Sequence, residues 1–388
     1  MTGRQYGFSA LDQAAQNGQA KVLKHLLNQG VSVNAESDPD GGTPLTTASL
    51  RGHMACMQIL LDAGANTNQP DQKGRTALYW TAKEGQLEAI ELLLRAGAKV
   101  QSWRGYRNDP LCIASLLGHT ASVRTLLVAG NPVTTSRQHG FSALHHAAKG
   151  GHAEILILLL QQRVCADAES QMASETPLMY ACKEGHLSCI QILLDAGAKV
   201  NLPDDTGRTA LYSAAQHGQT QAEDDNKTSP DGRAAQHGQT QALALLLEHG
   251  ANVSGSFPHY AHPLCAAART GQLACVQALV AAGSPTVIDK KQGPTALHYA
   301  AQQGHLQVLK YLLQKGALID AENPTNGETP LMVASQGGHL TCIQALLAAG
   351  ATLHPRDQNG KTALDHAAHK MHMQAVDLLL SHGRTLAG

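Results

Sequence analysis

A chain of 388 residues is long enough for two or three compact domains, yet three Phe, two Trp and eight Tyr are too few for aromatic-filled cores and suit a long, thin core of small side chains. The 29 Lys and Arg nearly balance the 30 Asp and Glu, so no broad field directs the chain to nucleic acid or to an anionic membrane. No apolar stretch reaches the roughly 18 residues of a spanning helix, the first residues carry no apolar signal core, and eight Cys without a CxxC pair fit a reducing compartment, cytosol or nucleus.

The first element opens at Gly7-Phe8-Ser9-Ala10-Leu11, and its last three positions begin a phrase that returns down the chain: Thr or Ser, then Pro or Ala, then Leu. The marker Leu stands at 11, 45, 78, 144, 178, 211, 297, 331 and 364, and the variants Asp109-Pro110-Leu111 and His262-Pro263-Leu264 complete eleven copies. Successive steps are 34, 33, 33, 33, 34, 33, 53, 33, 34 and 33 residues. Within a copy, Thr43 or Thr176 suits a helix N-cap and Pro44 or Pro177 the first helical position. A short Ala-rich helix follows, closed seven residues after the marker by a Gly in ten of the eleven copies, where a left-handed C′ residue belongs. A second helix with a Leu pair, such as Leu193-Leu194, ends at a second Gly, also present in ten copies. The polar Asp/Asn/Gly segment between copies reads as a turn. Repeats start near 7, 41, 74, 107, 140, 174, 207, 260, 293, 327 and 360, and 1–388 reads as a single domain.

The departures are as informative as the matches. Repeats four and eight lack the Thr before Pro-Leu and carry aromatic segments instead, Trp103-Arg104-Gly105-Tyr106-Arg107 and Phe257-Pro258-His259-Tyr260. Arg163 replaces the second Gly of repeat five, and Met371 the first Gly of repeat eleven. Gly-Phe-Ser-Ala-Leu at 7–11 recurs at 140–144, which points to duplication of a four-repeat block. The 53-residue step has a visible source. Ala-Ala-Gln-His-Gly-Gln-Thr-Gln-Ala occurs at 214–222 and again at 234–242, so 219–238 is expected to bulge from repeat seven as a polar loop, by duplication or as a functional insert. Its closure entropy grows only slowly with length.

From about Gly7 to Gly383 the chain resembles the ankyrin repeat family. The resemblance implies an all-α ankyrin-repeat solenoid of stacked helix-turn-helix units with β-hairpin-like loops. It also implies that partners touch the hairpin tips and the exposed face of the first helix, on a long concave surface. The residues at those positions here are Phe8, Arg75, Trp80, Glu84, Phe141, Lys149, Tyr180, Glu184, Arg208 and Lys361. Trp103, Arg104, Tyr106, Arg107, Phe257 and Tyr260 join them as hot-spot candidates, because exposed aromatics and Arg are enriched at interface centres. Alternatively, these rings fold back to replace the lost turn chemistry.

No catalytic constellation competes with this reading. Six His follow the first Gly (53, 119, 152, 186, 305, 339) where other repeats have Gln; Gln replaces a hydrogen-bonding His more easily than a zinc ligand, so a structural role is expected. His366, His369 and His372 read as surface histidines of a capping repeat. No metal ligand set, cofactor or nucleophile is expected. Asn359-Gly360-Lys361-Thr362 resembles the end of a phosphate loop, but Pro355 stands where that motif needs its first Gly. Cys56, Cys189, Cys275 and Cys342 share one helix position and read as small buried hydrophobes. Asn226-Lys227-Thr228 and Ser229-Pro230 are weak modification motifs. The expected function is a non-enzymatic, monomeric module holding a protein partner as scaffold, adaptor or inhibitor. The alternative is the targeting portion of a larger modular effector or enzyme, against which the short flanks outside the repeats argue mildly.

Overall fold

In a computed structural model, the described residues are 10–35, 41–100, 108–130, 142–170, 173–216, 230–253, 262–286 and 293–387, with 230–238 and 385–387 described in the backbone alone. Among them are 22 helices and no strand. They form two compact units, Met1–Pro177 with Asp195–Gly197 and Leu178–Leu194 with Ala198–Gly388.

In the first unit the pairs are α1 (Ala10–Gln16) and α2 (Ala20–Asn28), α3 (Pro44–Arg51) and α4 (Met54–Asp62), α5 (Ala77–Lys83) and α6 (Leu87–Arg95), α7 (Pro110–Leu117) and α8 (Thr120–Val128), α9 (Ala143–Gly150) and α10 (Ala153–Leu160). First helices pack on first helices, from α1 to α9, and second helices on second, from α2 to α10. The boundary between units falls inside α11 (Pro177–Glu184), which is followed by α12 (Leu187–Asp195). The second unit continues with α13 (Ala210–Gln216) and α14 (Pro230–Glu248), α15 (Pro263–Arg269) and α16 (Leu273–Ala281), α17 (Ala296–Gln302) and α18 (Leu306–Gln314), α19 (Pro330–Gly337) and α20 (Leu340–Ala348), α21 (Ala363–His369) and α22 (Met373–Ala387). The same two rows of packing run from α13 to α21 and from α14 to α22.

Local chemistry starts these helices as the repeat phrase predicts. Thr43 Oγ1 accepts the Thr46 N–H at 3.3 Å while Thr46 Oγ1 accepts the Thr43 N–H at 2.8 Å, and Pro44 occupies the first turn, where its missing donor costs nothing. Repeats four and eight solve the same problem without Thr. Asp109 Oδ1 accepts the N–H groups of Leu111 and Cys112 at 2.8 and 3.3 Å, and His262 Nδ1 accepts that of Leu264 at 3.3 Å.

The marker Leu is buried in repeats one to ten, as are Leu60, Leu93, Leu126, Leu159 and Leu193 of the second helices. Each contributes roughly 2 kcal/mol through removal from water. Ala14, Ala48, Ala82, Ala114 and Ala147 fill the space between first helices, which is why so few aromatics suffice. Seven of the eight free cysteines are buried, and Cys165 is exposed.

Three details sharpen the sequence reading. Arg163 and Met371 do hold the glycine conformation, with φ of 58° and 57°. At the left-handed glycines that share Arg163's place, such as Gly130, a Cβ would meet nothing within 4 Å, so the cost at Arg163 is one of backbone alone. Arg163→Gly removes a left-handed penalty of about 1–2 kcal/mol and adds about 0.5–1 kcal/mol of unfolded-state entropy; urea denaturation is expected to register a small net stabilisation. Second, α14 starts at Pro230, so 230–238, expected as loop, is helical. The Ala-Ala-Gln-His stretch runs unbroken into Leu243, and residues 217–229 lie outside the described set. Third, α22 passes through Gly383 instead of ending there, continuing over helix-compatible residues to Ala387.

Candidate functional site

Four of the described hairpin tips are organised by one acidic or amide side chain at their start, Asp71, Asp204, Asn323 or Asp357. Asp71 Oδ1 accepts the N–H groups of Lys73 and Arg75 at 3.0 and 2.8 Å, and the Asp71 N–H closes the turn on the Arg75 carbonyl at 2.9 Å. Asp204 Oδ1 does the same for Thr206 and Arg208, at 2.8 and 2.9 Å, and Asp357 Oδ1 for Asn359 and Lys361, at 2.9 and 2.8 Å. These tips are rigid platforms on which the flanking side chains stand.

In the third repeat the platform carries an aromatic and cationic group. Arg75 Nε donates to Asp71 Oδ2 at 2.6 Å, which lays the guanidinium over the Trp80 ring with Cζ 4.4 Å from its centroid. Lys83 Nζ lies 5.0 Å from the same centroid, and Tyr79 meets it edge-on at 5.4 Å. Trp80, Arg75 and Lys83 are all half-buried and Glu84 is exposed, so the ring reaches solvent between two cations. Repeat seven repeats the motif less openly: Arg208 Cζ lies 5.3 Å over the Tyr212 ring, but Tyr212 is buried.

Tyr180 departs from its expected role. It shares the register of Trp80, two residues after the marker, yet is only 6% exposed; its ring belongs to the interior and is not available to a partner. Lys149 and Glu184 are exposed and Lys361 half-buried. Phe8, Trp103, Arg104, Tyr106, Arg107, Phe141, Phe257 and Tyr260 lie outside the described residues.

The histidines do structural work in two series. In the first, a ring Nε2–H donates to a carbonyl in the last turn of the preceding repeat's first helix: His53 to Gln16 at 3.1 Å, His119 to Lys83 at 3.0 Å, His152 to Leu116 at 2.9 Å, His305 to Arg269 at 3.0 Å and His339 to Gln302 at 2.9 Å. Gln239 Nε2 takes this place in repeat seven, donating to the Lys183 carbonyl at 2.9 Å, so the second copy of the duplicated nonapeptide supplies the contact. His372 also belongs here, reaching the Gln336 carbonyl at 3.1 Å; its membership was hidden by Met371, which replaces the Gly that precedes the other rings.

The second series is His145 and His298, both buried. The Ser142 N–H donates to His145 Nδ1 at 3.2 Å, and Nε2 donates to the Glu175 carbonyl at 3.1 Å. In repeat nine, the Thr295 N–H reaches His298 Nδ1 at 3.1 Å and Nε2 reaches the Glu328 carbonyl at 3.0 Å. Both rings are therefore neutral Nε2–H tautomers, each tying a first helix to the next hairpin tip. Burial, against weaker support from the carbonyl acceptors, lowers both imidazoles from 6.5 to about 4.

His366 overturns its sequence reading: it is 8% exposed rather than a surface group, because helix α21 turns it onto the adjoining tip, where Nε2 meets Asp357 Oδ2 at 3.0 Å. His369 is exposed. Among the described residues no helix is long and apolar enough to cross a membrane.

Comparison with known proteins follows the same periodicity. The family model "Ankyrin repeats (3 copies)" matches residues 11–104, 164–223, 232–323 and 317–386, and "Ankyrin repeats (many copies)" matches 111–160. Ankyrin repeat protein nuc-2 of Neurospora crassa is 29% identical over 311 residues, covering 76% of this chain. The chain spans only 27% of that relative's length. Putative ankyrin repeat protein YahD of Escherichia coli is 28% identical over 210 residues, 53% of this chain and 88% of its own. The crystal structure of the human ASB11 ankyrin repeat domain covers 61% of this chain and 97% of its own at 28% identity, with a TM-score of 0.48.

Proposed function

Because the chain belongs to the ankyrin repeat family, whose repeats are protein–protein interaction modules on a generally non-enzymatic fold, we propose that it acts by holding a protein partner, as a scaffold, adaptor or inhibitor. The observation that carries this reading is the Trp80 group. A large ring that reaches solvent between Arg75 and Lys83, on a tip made rigid by Asp71, offers apolar area and charge at low entropic cost. The binding face is the row of first helices and hairpin tips, with Trp103, Tyr106, Phe257 and Tyr260 as further anchors.

Affinity capture from a native lysate, comparing wild type with Trp80→Ala and with a Trp103→Ala/Tyr106→Ala double variant, tests the proposal. Truncating an anchor of this kind costs about 2 kcal/mol or more, roughly 30-fold in affinity, while the melting temperature stays within a few degrees of wild type. Capture unchanged by both variants, or lost only in step with stability, would count against this face.

A second reading has its own support. The small share of nuc-2 that the chain spans favours repeats that target a larger modular effector or enzyme to its substrate. The full reading frame of the transcript separates the two.

A further inference from the structure

Two neighbouring hairpin tips and one helix in the second unit converge on a group that repeat periodicity does not explain. In repeat three the second oxygen of the tip aspartate is taken by Arg75. Repeat eleven has Lys361 at that position, and Asp357 Oδ2 instead faces His366 Nε2 at 3.0 Å. From the preceding tip, Glu328 brings Oε1 to 3.9 Å from the same nitrogen. All three ligand atoms lie within 4.8 Å of one another.

Both carboxylates have one oxygen turned to the cluster while the other is tied down. Asp357 Oδ1 is held by the N–H groups of Asn359 and Lys361. Glu328 Oε2 accepts from Asn326 Nδ2 at 2.7 Å, its N–H donates to Asn326 Oδ1 at 3.1 Å, and its carbonyl is fixed by Asn323 N–H and His298 Nε2 at 2.8 and 3.0 Å. Asp357 is 6% exposed and His366 8%. A plain Asp–His hydrogen bond would account for two of these groups. It leaves Glu328 Oε1 aimed at the same point with no hydrogen bond of its own among the described residues, a carboxylate beside a second carboxylate.

We propose that Glu328, Asp357 and His366 form a site for one divalent transition-metal ion of the zinc type, clipping the tips of repeats ten and eleven together. Two carboxylates and an imidazole are the donor mix such ions take, and side chains oriented by outer hydrogen bonds are what a preorganised site requires. Metal–ligand bonds of about 2.0–2.2 Å put tetrahedral ligands roughly 3.3 Å apart. The Asp–His pair is already near that spacing, and the Glu328 side chain needs only a small swing. The ion takes the place of the proton on His366 Nε2, the metal-bound ring keeps its one proton on Nδ1, and water completes the shell. A cleft of about 640 Å³ between the two tips is lined by Asp320, Glu322, Arg356 and Asp357, but not by Glu328 or His366. Arg356 Nη1 is engaged with the Gly360 carbonyl at 2.7 Å.

The test uses the full chain, stripped with chelator and titrated with Co²⁺ as the spectroscopic probe and Zn²⁺ as competitor. One Co²⁺ per chain is expected, with the visible bands of low-coordinate cobalt, displaced by Zn²⁺ but not by Ca²⁺. Zn²⁺ should also raise the melting temperature by several degrees. Glu328→Gln and His366→Gln each weaken binding by at least about tenfold and remove the thermal shift. Glu328→Gln leaves the Asp357–His366 contact intact, so it remains readable should His366→Gln fold poorly. Absence of a saturable cobalt spectrum overturns the site. So does binding of unchanged strength in both variants, which would put the metal on exposed imidazoles or Cys165.

Discussion

Lowering the pH from 7.5 to 5 is expected to strip several kcal/mol from the folding free energy, with little further loss through these histidines below about 4. His145, His262 and His298 are buried, and desolvation takes each from 6.5 to about 4. The unfolded chain binds these protons near 6.5 and the native chain only near 4, so between those values the unfolded state holds more protons and stability falls with pH. Each ring contributes stability that is complete above about 6.5; on the linkage relation, about 2 kcal/mol of it is gone by pH 5. The geometry says why the native rings refuse the proton: His145 Nδ1 already accepts the Ser142 N–H, and His298 Nδ1 that of Thr295. Protonation would set two donors against each other in a buried space. Urea denaturation at pH 7.5, 6 and 5 measures the effect, and a His145→Gln/His298→Gln variant should have a flatter profile. Equal stability at pH 7.5 and 5 would mean that these rings are not buried as neutral groups.

Gly118→Ala should destabilise far more than Gly130→Ala, although both glycines are left-handed, with φ of 81° and 83°. At Gly130 a Cβ would meet nothing within 4 Å, so only the backbone penalty of about 1 kcal/mol applies. At Gly118 the same atom would lie 2.5 Å from His152 Cε1 and 2.7 Å from Nδ1. The ring must leave, and with it the 2.9 Å hydrogen bond that satisfies the Leu116 carbonyl. Backbone strain, the lost bond and the crowding together come to about 3–5 kcal/mol. Chemical denaturation of both variants gives the contrast. Adding His152→Ala to Gly118→Ala should return part of the loss, since the clash disappears with the ring. Similar losses at the two glycines would show that the imidazole has room to spare.

The fold was legible because its two controlling signals are local and repeated. Thr-Pro-Leu sets where a first helix begins, and the repeat glycines before Gly383 set where helices stop; neither depends on what a distant residue does. The hydrogen-bonding role of the first histidine series was legible for a similar reason, since Gln in the same place replaces a hydrogen-bonding His more easily than a zinc ligand. What the sequence concealed were properties that arise between repeats. Tyr180 and Trp80 share a register, but one is covered and the other not, and the repeat pattern carries no record of the difference. His366 looks like a surface residue on a helical wheel; its burial comes from the fold of the adjoining tip around Asp357. Glu328 lies 38 positions upstream of it, in a turn whose composition resembles every other turn. A useful signal was the absence of Arg at 361, which left the tip aspartate of repeat eleven in need of a different partner.

The junction between repeats has a polarity. The later repeat supplies the imidazole or amide, and the earlier one supplies the glycine beneath it and the carbonyl that it reaches. For this one contact, whole repeats could therefore be exchanged, provided that each carries both halves: a ring for its predecessor and a bare α-carbon for its successor. Repeat eleven carries only one. His372 fits over Gly338, but Met371 would offer an incoming ring a thioether side chain on a left-handed backbone, and a copy of this repeat moved among the others would leave its new neighbour without a seat.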